Sequence, residues 1–115
     1  MSHKSDYCIV ITTVSGKRRQ EQQISGEEGA EALAAMILEQ RLAACIQITQ
    51  IKSMYLWEEK VCSEPEYLLL IKTQVQKYKA LEEFITNKHP YECPEIIQLP
   101  ITDGAKGYLK WLGEF

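Results

Sequence analysis

A chain of 115 residues with a formal net charge of -3, 45% hydrophobic and 25% charged, has the composition of one soluble globular domain, residues 1–115. The acidic balance argues against a nucleic-acid binder, which would carry a basic face interleaved with aromatics. The one basic cluster, Gly16-Lys17-Arg18-Arg19, is followed at once by Glu21 and reads as a solvated loop.

The N-terminus, with His3, is polar and expected to be disordered, and the apolar run Cys8 to Val14 is too short for a transmembrane helix or a secretion signal. A cytoplasmic protein with no membrane partner is expected. Tyr7 to Val14 is a β-branched run of strand length, followed by a polar loop holding Gly16, Gly26 and Gly29. Ser25 with Glu28 makes a capping box, and Ala30, Leu33, Ala34, Ile37, Leu38 and Leu42 recur at helical spacing, predicting a helix over 26–42. Two strand-like segments come next, Cys45 to Trp57 and Tyr67 to Thr73, separated by a charged turn at Glu58-Glu59-Lys60 and by Glu64-Pro65-Glu66. They read as a hairpin with irregular ends. Thr73 with Gln76 makes a second capping box, and Val75, Tyr78, Leu81, Phe84 and Ile85 give the next helix one apolar face before Asn87-Lys88 ends it. A strand over Glu95 to Ile101 and a short helix around Tyr108 to Leu112, capped by Asp103, complete the chain.

The order strand, helix, strand, strand, helix, strand is that of an α+β, ferredoxin-like split βαβ sandwich, with two helices on one face of an antiparallel sheet. Its central strands would be Ile9-Val10-Ile11 and Leu68 to Ile71, apolar on both faces, although the helices can cover only one. The second strand, if it runs to Trp57, is about twice the common strand length and should project beyond the sheet. Both features predict self-association. The same topology brings Thr12, Thr13, Trp57, Glu66 and the loop His89 to Glu95 to one end of the sheet.

The segments Leu42-Ala43-Ala44-Cys45, Tyr55-Leu56-Trp57-Glu58, Ile71-Lys72-Thr73, His89-Pro90-Tyr91 with Pro94-Glu95, and Tyr108-Leu109-Lys110-Trp111 resemble, in order, the successive motifs of the CutA divalent-cation tolerance family. The resemblance implies a compact ferredoxin-like homotrimer, similar to the PII signalling proteins and linked to tolerance of copper and other divalent metals. The chain departs from the family pattern in the connection Ser15 to Gly29, which is longer than usual. It departs again in the metal positions. Members for which copper binding is proposed carry a cysteine near the end of the first strand, a glutamate at the start of the third and a histidine just before His-Pro-Tyr. Here those positions are Thr12, Glu66 and Lys88.

Copper and zinc favour imidazole and thiolate, so a site built on Glu66 and His89, with Cys93 or Glu92 as a further ligand, would hold copper or another divalent cation weakly. Against it stands a turn alone, since Pro90 and Pro94 stiffen the segment. Cys8, Cys45, Cys62 and Cys93 form no C-x-x-C pair and read as reduced thiols, Cys45 as a small core residue. No nucleophile-elbow, P-loop or zincin motif is present, and an enzyme is not expected. Glu58, Glu59, Glu64 and Glu66 read as charges flanking a hairpin turn. Two functions of different class remain: metal binding at Glu66 and His89, or a trimeric PII-like module taking a small anion or a partner in a cleft of Thr12, Trp57, Lys72 and Tyr91.

Overall fold

The computed structural model describes residues 6–115, so His3 lies outside the described residues. Strand β1 (Tyr7–Ser15) leads through a ten-residue connection to helix α1 (Gly26–Glu39) and then to β2 (Cys45–Trp57) and β3 (Lys60–Gln74). A 3-10 turn (Val75–Lys77), helix α2 (Tyr78–Lys88), strand β4 (Ile96–Pro100) and helix α3 (Lys106–Leu112) follow. The sheet order is β2-β3-β1-β4, every pairing antiparallel, which places the two apolar strands in the centre as expected of the ferredoxin-like sandwich.

Alternation along β1 and β3 sorts their side chains between two faces. Cys8, Val10, Val14, Leu69 and Ile71 are buried and pack with Leu33, Ile37, Leu81 and Ile85 of α1 and α2 in one hydrophobic core. On the opposite face Ile9, Ile11, Leu68 and Leu70 remain partly accessible, and their β4 neighbours Ile97 and Leu99 are 46% and 44% exposed. Helix α3 caps only the end of that face, where the Gln74 amide donates to the Leu112 and Phe115 carbonyls.

Helix α1 ends three residues earlier than its apolar periodicity suggests. Arg41 takes a left-handed conformation, φ 57, and the chain closes with Leu42 N–H on the Ile37 carbonyl and Arg41 N–H on that of Leu38. Three predicted caps do not form. Ser25 is fully buried and turns its hydroxyl back into the preceding connection, accepting from Arg19 N–H at 2.9 Å and donating to the Gln22 carbonyl at 2.8 Å. Thr73 stays in β3 and donates to the Leu42 carbonyl at 2.7 Å, tying the end of the α1-β2 connection to the sheet. Asp103 accepts from Gly104 N–H, while Ala105 occupies the cap position of α3. In each case a nearer backbone group took the polar side chain that a helix N-terminus would have used.

The hairpin is regular where irregular ends were expected. Glu64-Pro65-Glu66 belongs to β3, and pairing runs unbroken from Cys45↔Lys72 to Trp57↔Lys60. Pro65 is tolerated because the β1 ladder ends at Glu66, so no strand on that side needs an N–H from it, while its carbonyl still accepts from Gly16 N–H. The ribbon carries Met54, Leu56 and Val61 on one side, 67%, 75% and 71% exposed.

Glu58 and Glu59 close this ribbon as a two-residue turn with φ of 51° and 65°. Such a turn matches the strand twist but favours Asn-Gly, since an ordinary side chain in the left-handed region costs roughly 1–2 kcal/mol. The double substitution Glu58→Asn, Glu59→Gly should therefore raise stability by about 1–2 kcal/mol, read as a higher urea midpoint at unchanged slope.

Candidate functional site

Beyond the end of β1 the hairpin and the 89–95 segment face each other across an open cleft of about 820 Å³. Period-2 alternation on the ribbon turns Tyr55 and Trp57 of β2, and Cys62, Glu64 and Glu66 of β3, to this one side, while Met54, Leu56 and Val61 point to the other. Tyr91, Glu92, Cys93 and Glu95 close it from the facing segment, and Thr13 forms part of its floor. The cleft therefore gathers carboxylates from Glu64, Glu66, Glu92 and Glu95 beside three aromatic rings.

Glu66 is held at both oxygens. Ser53 donates to Oε1 at 2.6 Å and the Tyr91 phenol to Oε2 at 3.4 Å. Burial pushes the Tyr91 phenol up, as does the Glu66 charge, and burial followed by Glu66 pushes the Glu95 carboxyl up. The Tyr55 phenol is raised by desolvation and then by Glu64, Cys62 and Glu66. Tyr55 on β2, and Tyr91 and Glu95 on the facing segment, thus sense the Glu66 charge in addition to their burial.

His89 does something other than line the cleft. It is 7% exposed, at the C-cap of α2, and its Nε2 lies 2.6 Å from the Thr13 carbonyl. A carbonyl only accepts, so Nε2 carries the proton and the bare Nδ1 accepts from Tyr91 N–H at 3.1 Å. Burial lowers its pKa, outweighing the Thr13 carbonyl and Glu66, so the ring is held neutral. With both ring nitrogens engaged, His89 offers no lone pair to a metal, which corrects its assignment as a ligand. It packs on Tyr91 with ring centres 4.6 Å apart and fixes the segment that carries Tyr91 to Glu95.

Two further expected cleft residues lie elsewhere. Thr12 is fully buried on the helix-covered face, paired with Leu69 and Ile96, and its hydroxyl has no hydrogen-bond partner. Lys72 is six residues along β3 from Glu66, roughly 20 Å at strand rise, with its ammonium 5.4 Å from the centre of the Tyr108 ring. Glu66, Trp57, Tyr91, Glu92 and Cys93 do meet in the cleft.

Tyr55, Cys62, Glu64, Glu95 and Arg19 join them. The first three follow from strand parity once the Glu58-Glu59 turn fixes the register. Arg19 does not follow from any sequence signal. It arrives because the connection after β1 folds on itself, with Gly16 N–H on the Pro65 carbonyl at 2.9 Å, an Arg19↔Gln22 bridge and the Ser25 hydroxyl at its centre. A Cβ on Gly16 would meet the Pro65 backbone at 2.8 Å, so this approach needs glycine.

The cleft is acidic but is no preformed chelate. Among the described residues, no three His, Cys, Asp or Glu side chains stand close enough together to hold a metal ion. Nor is any helix among them long and apolar enough to cross a membrane. The buried Cys8 thiol, pushed up to about 11, is inert beside the exposed Cys93.

Fold and cleft together define a small ferredoxin-like α+β protein with an acidic, aromatic-walled site at the open end of its sheet. The chain belongs to the CutA1 divalent ion tolerance protein family, which it matches over residues 8–114. It is 41% identical over 92 residues to the divalent-cation tolerance protein CutA of Thermus thermophilus, a match covering 79% of this chain and 89% of that one. A CutA homolog from Xenopus laevis is 45% identical over 86 residues, covering 74% of this chain but only 57% of the relative. The match to the chloroplastic CutA of Arabidopsis thaliana covers 50% of that protein, so the chain spans about half of some longer relatives. Among solved structures, CutA of Synechococcus elongatus superposes with a TM-score of 0.85 at 32% identity, covering 98% of this chain and 92% of that one. CutA1 of Oryza sativa gives 0.82 at 38% identity, covering 95% and 92%.

Proposed function

We propose that this chain serves divalent-cation tolerance by binding copper or another divalent cation weakly at the cleft, with Glu66 as its protein ligand and water or a neighbouring protomer completing the shell. The carrying observation is the gathering of Glu64, Glu66, Glu92 and Glu95 in one cleft, where the Glu66 charge adds to burial in raising Tyr55, Tyr91 and Glu95, the direction that a cation would relieve. Glu92 and Cys93 are further ligand candidates, and His89 acts through the placement of Tyr91. The role is binding rather than catalysis, in the cytoplasm.

Calorimetric titration of the reduced, metal-free protein with copper(II) tests this. Saturable uptake near one ion per chain is expected, lost in Glu66→Gln. Uptake unchanged in that variant would sink the assignment. Because burial and then Glu66 raise the Glu95 carboxyl, it takes up its proton at a higher pH than an ordinary carboxylate and loses its attraction for a cation, so affinity should fall as the pH is lowered toward the acid range.

The reading includes a homotrimer. The uncovered sheet face with Ile97 and Leu99, and the exposed Met54, Leu56 and Val61 of the ribbon, are the surfaces that favour self-association. Light scattering should give the mass of three chains, and Leu56→Glu with Val61→Glu should lower it. A wild-type monomer would remove that part of the proposal. The alternative of a PII-like module taking an anion between Trp57, Lys72 and Tyr91 has less support, because Lys72 is distant and the cleft is acidic.

A further inference from the structure

The cleft is poorly matched to a lone ion. Its carboxylates are strung along two walls and, among the described residues, do not converge in a ligand group. Three aromatic side chains sit among them, and a hydrated metal ion gains nothing from Tyr55, Trp57 and Tyr91. An organic cation gains from both. Ammonium groups are attracted to aromatic faces as well as to carboxylates, and the methylene chain between them buries against the rings as a lysine stem does.

We propose that the cleft binds a linear aliphatic polyamine, with ammonium groups on Glu64, Glu66 and Glu95 and its methylene chain across Tyr55, Trp57 and Tyr91. This rests on the cation-attracting reading of the same cleft. Carboxylates spaced along a wall suit charges spaced along a flexible chain, where a single ion would leave most of them unused. An open cavity of about 820 Å³ takes such a chain lengthwise. Glu66 is the fixed point, since Ser53 and Tyr91 hold both its oxygens while its remaining lone pairs stay free to accept. Arg19 is the one basic residue among the described lining residues, so its charge opposes cation binding.

Spermidine titrated calorimetrically into the full reduced chain tests the proposal, with magnesium and copper(II) titrated beside it at matched ionic strength. Saturable spermidine binding is expected, weakened about tenfold in Trp57→Leu, which is roughly 1.4 kcal/mol. Tyr55→Leu should act in the same direction, and Arg19→Gln should tighten binding. Copper(II) uptake should change by less than about twofold in Trp57→Leu, because the metal does not use the ring. Trp57 is 64% exposed, so its replacement leaves the core intact, and circular dichroism checks that it does.

No saturable spermidine binding would overturn the proposal, as would binding that both aromatic variants leave unchanged. If copper(II) bound and spermidine did not, the metal reading would stand without this one. Spermidine binding lost in the aromatic variants, with no copper(II) uptake, would establish the polyamine site and remove the metal.

Discussion

Leu69→Ala should lower the unfolding free energy by about 3–4 kcal/mol, a large share of what a domain of this size has. Leu69 is fully buried in the middle of β3, opposite Thr12 on β1 and Ile48 on β2, beneath the two helices. Truncation removes its transfer free energy and leaves a cavity that cannot easily collapse. The walls are fixed by ladder pairing on both sides of β3, and the fully buried Thr12 hydroxyl, unpartnered, does not fill apolar space well. Leu70→Ala is the matched comparison. It removes the same atoms from the uncovered face, where Leu70 is only partly buried. In an isolated protomer it should cost far less than Leu69→Ala. If that face is covered by self-association, its cost should grow toward that of Leu69→Ala as protein concentration rises. Urea unfolding of both variants at two concentrations measures this. A Leu69→Ala loss below about 1.5 kcal/mol would mean that the sheet repacks around the site.

The elements that could be read from the sequence are those whose side chains repeat. The β-branched run of β1, the helical spacing of α1 and the apolar face of α2 each carry a period that survives tertiary packing. Features set by a single polar side chain could not be read in this way. Ser25, Thr73 and Asp103 each have the chemistry of a cap, yet Ser25 and Asp103 turned to backbone groups of their own connections, and Thr73 to the Leu42 carbonyl 31 residues away. The site divides along the same line. Glu66, Trp57 and the 89–95 segment could be brought together from topology, which fixes strand ends. Strand parity decides which neighbours share a face, and it put Thr12 in the core and Thr13 at the cleft. No local pattern shows that a histidine next to a proline has both nitrogens used, because one partner is 76 residues away.

His89 is where fold and site meet, and two substitutions should separate its roles. His89→Ala leaves the Thr13 carbonyl and Tyr91 N–H without partners in a buried setting, which should cost about 2–4 kcal/mol. The same change removes the ring on which Tyr91 packs, so Glu66 loses its phenol contact and cleft affinity falls with stability. His89→Gln keeps an amide donor for Thr13 and an oxygen for Tyr91, and should recover much of that loss. It should also change the response to pH. The folded pKa of His89 lies below its ordinary 6.5, so between the two values the unfolded chain binds the extra proton. The stability from neutral His89 is therefore complete above about pH 6.5 and is lost as the pH falls through the folded value. Wild type should weaken through that window and His89→Gln should not, once the carboxylate contribution common to both is subtracted. Equal slopes would mean that His89 takes up its proton as readily in the folded chain as in the unfolded one, or that another group titrates in its place. A slope confined to wild type, together with cleft affinity retained in His89→Gln, would assign His89 to the placement of Tyr91 and leave Glu66 as the residue that meets the cation.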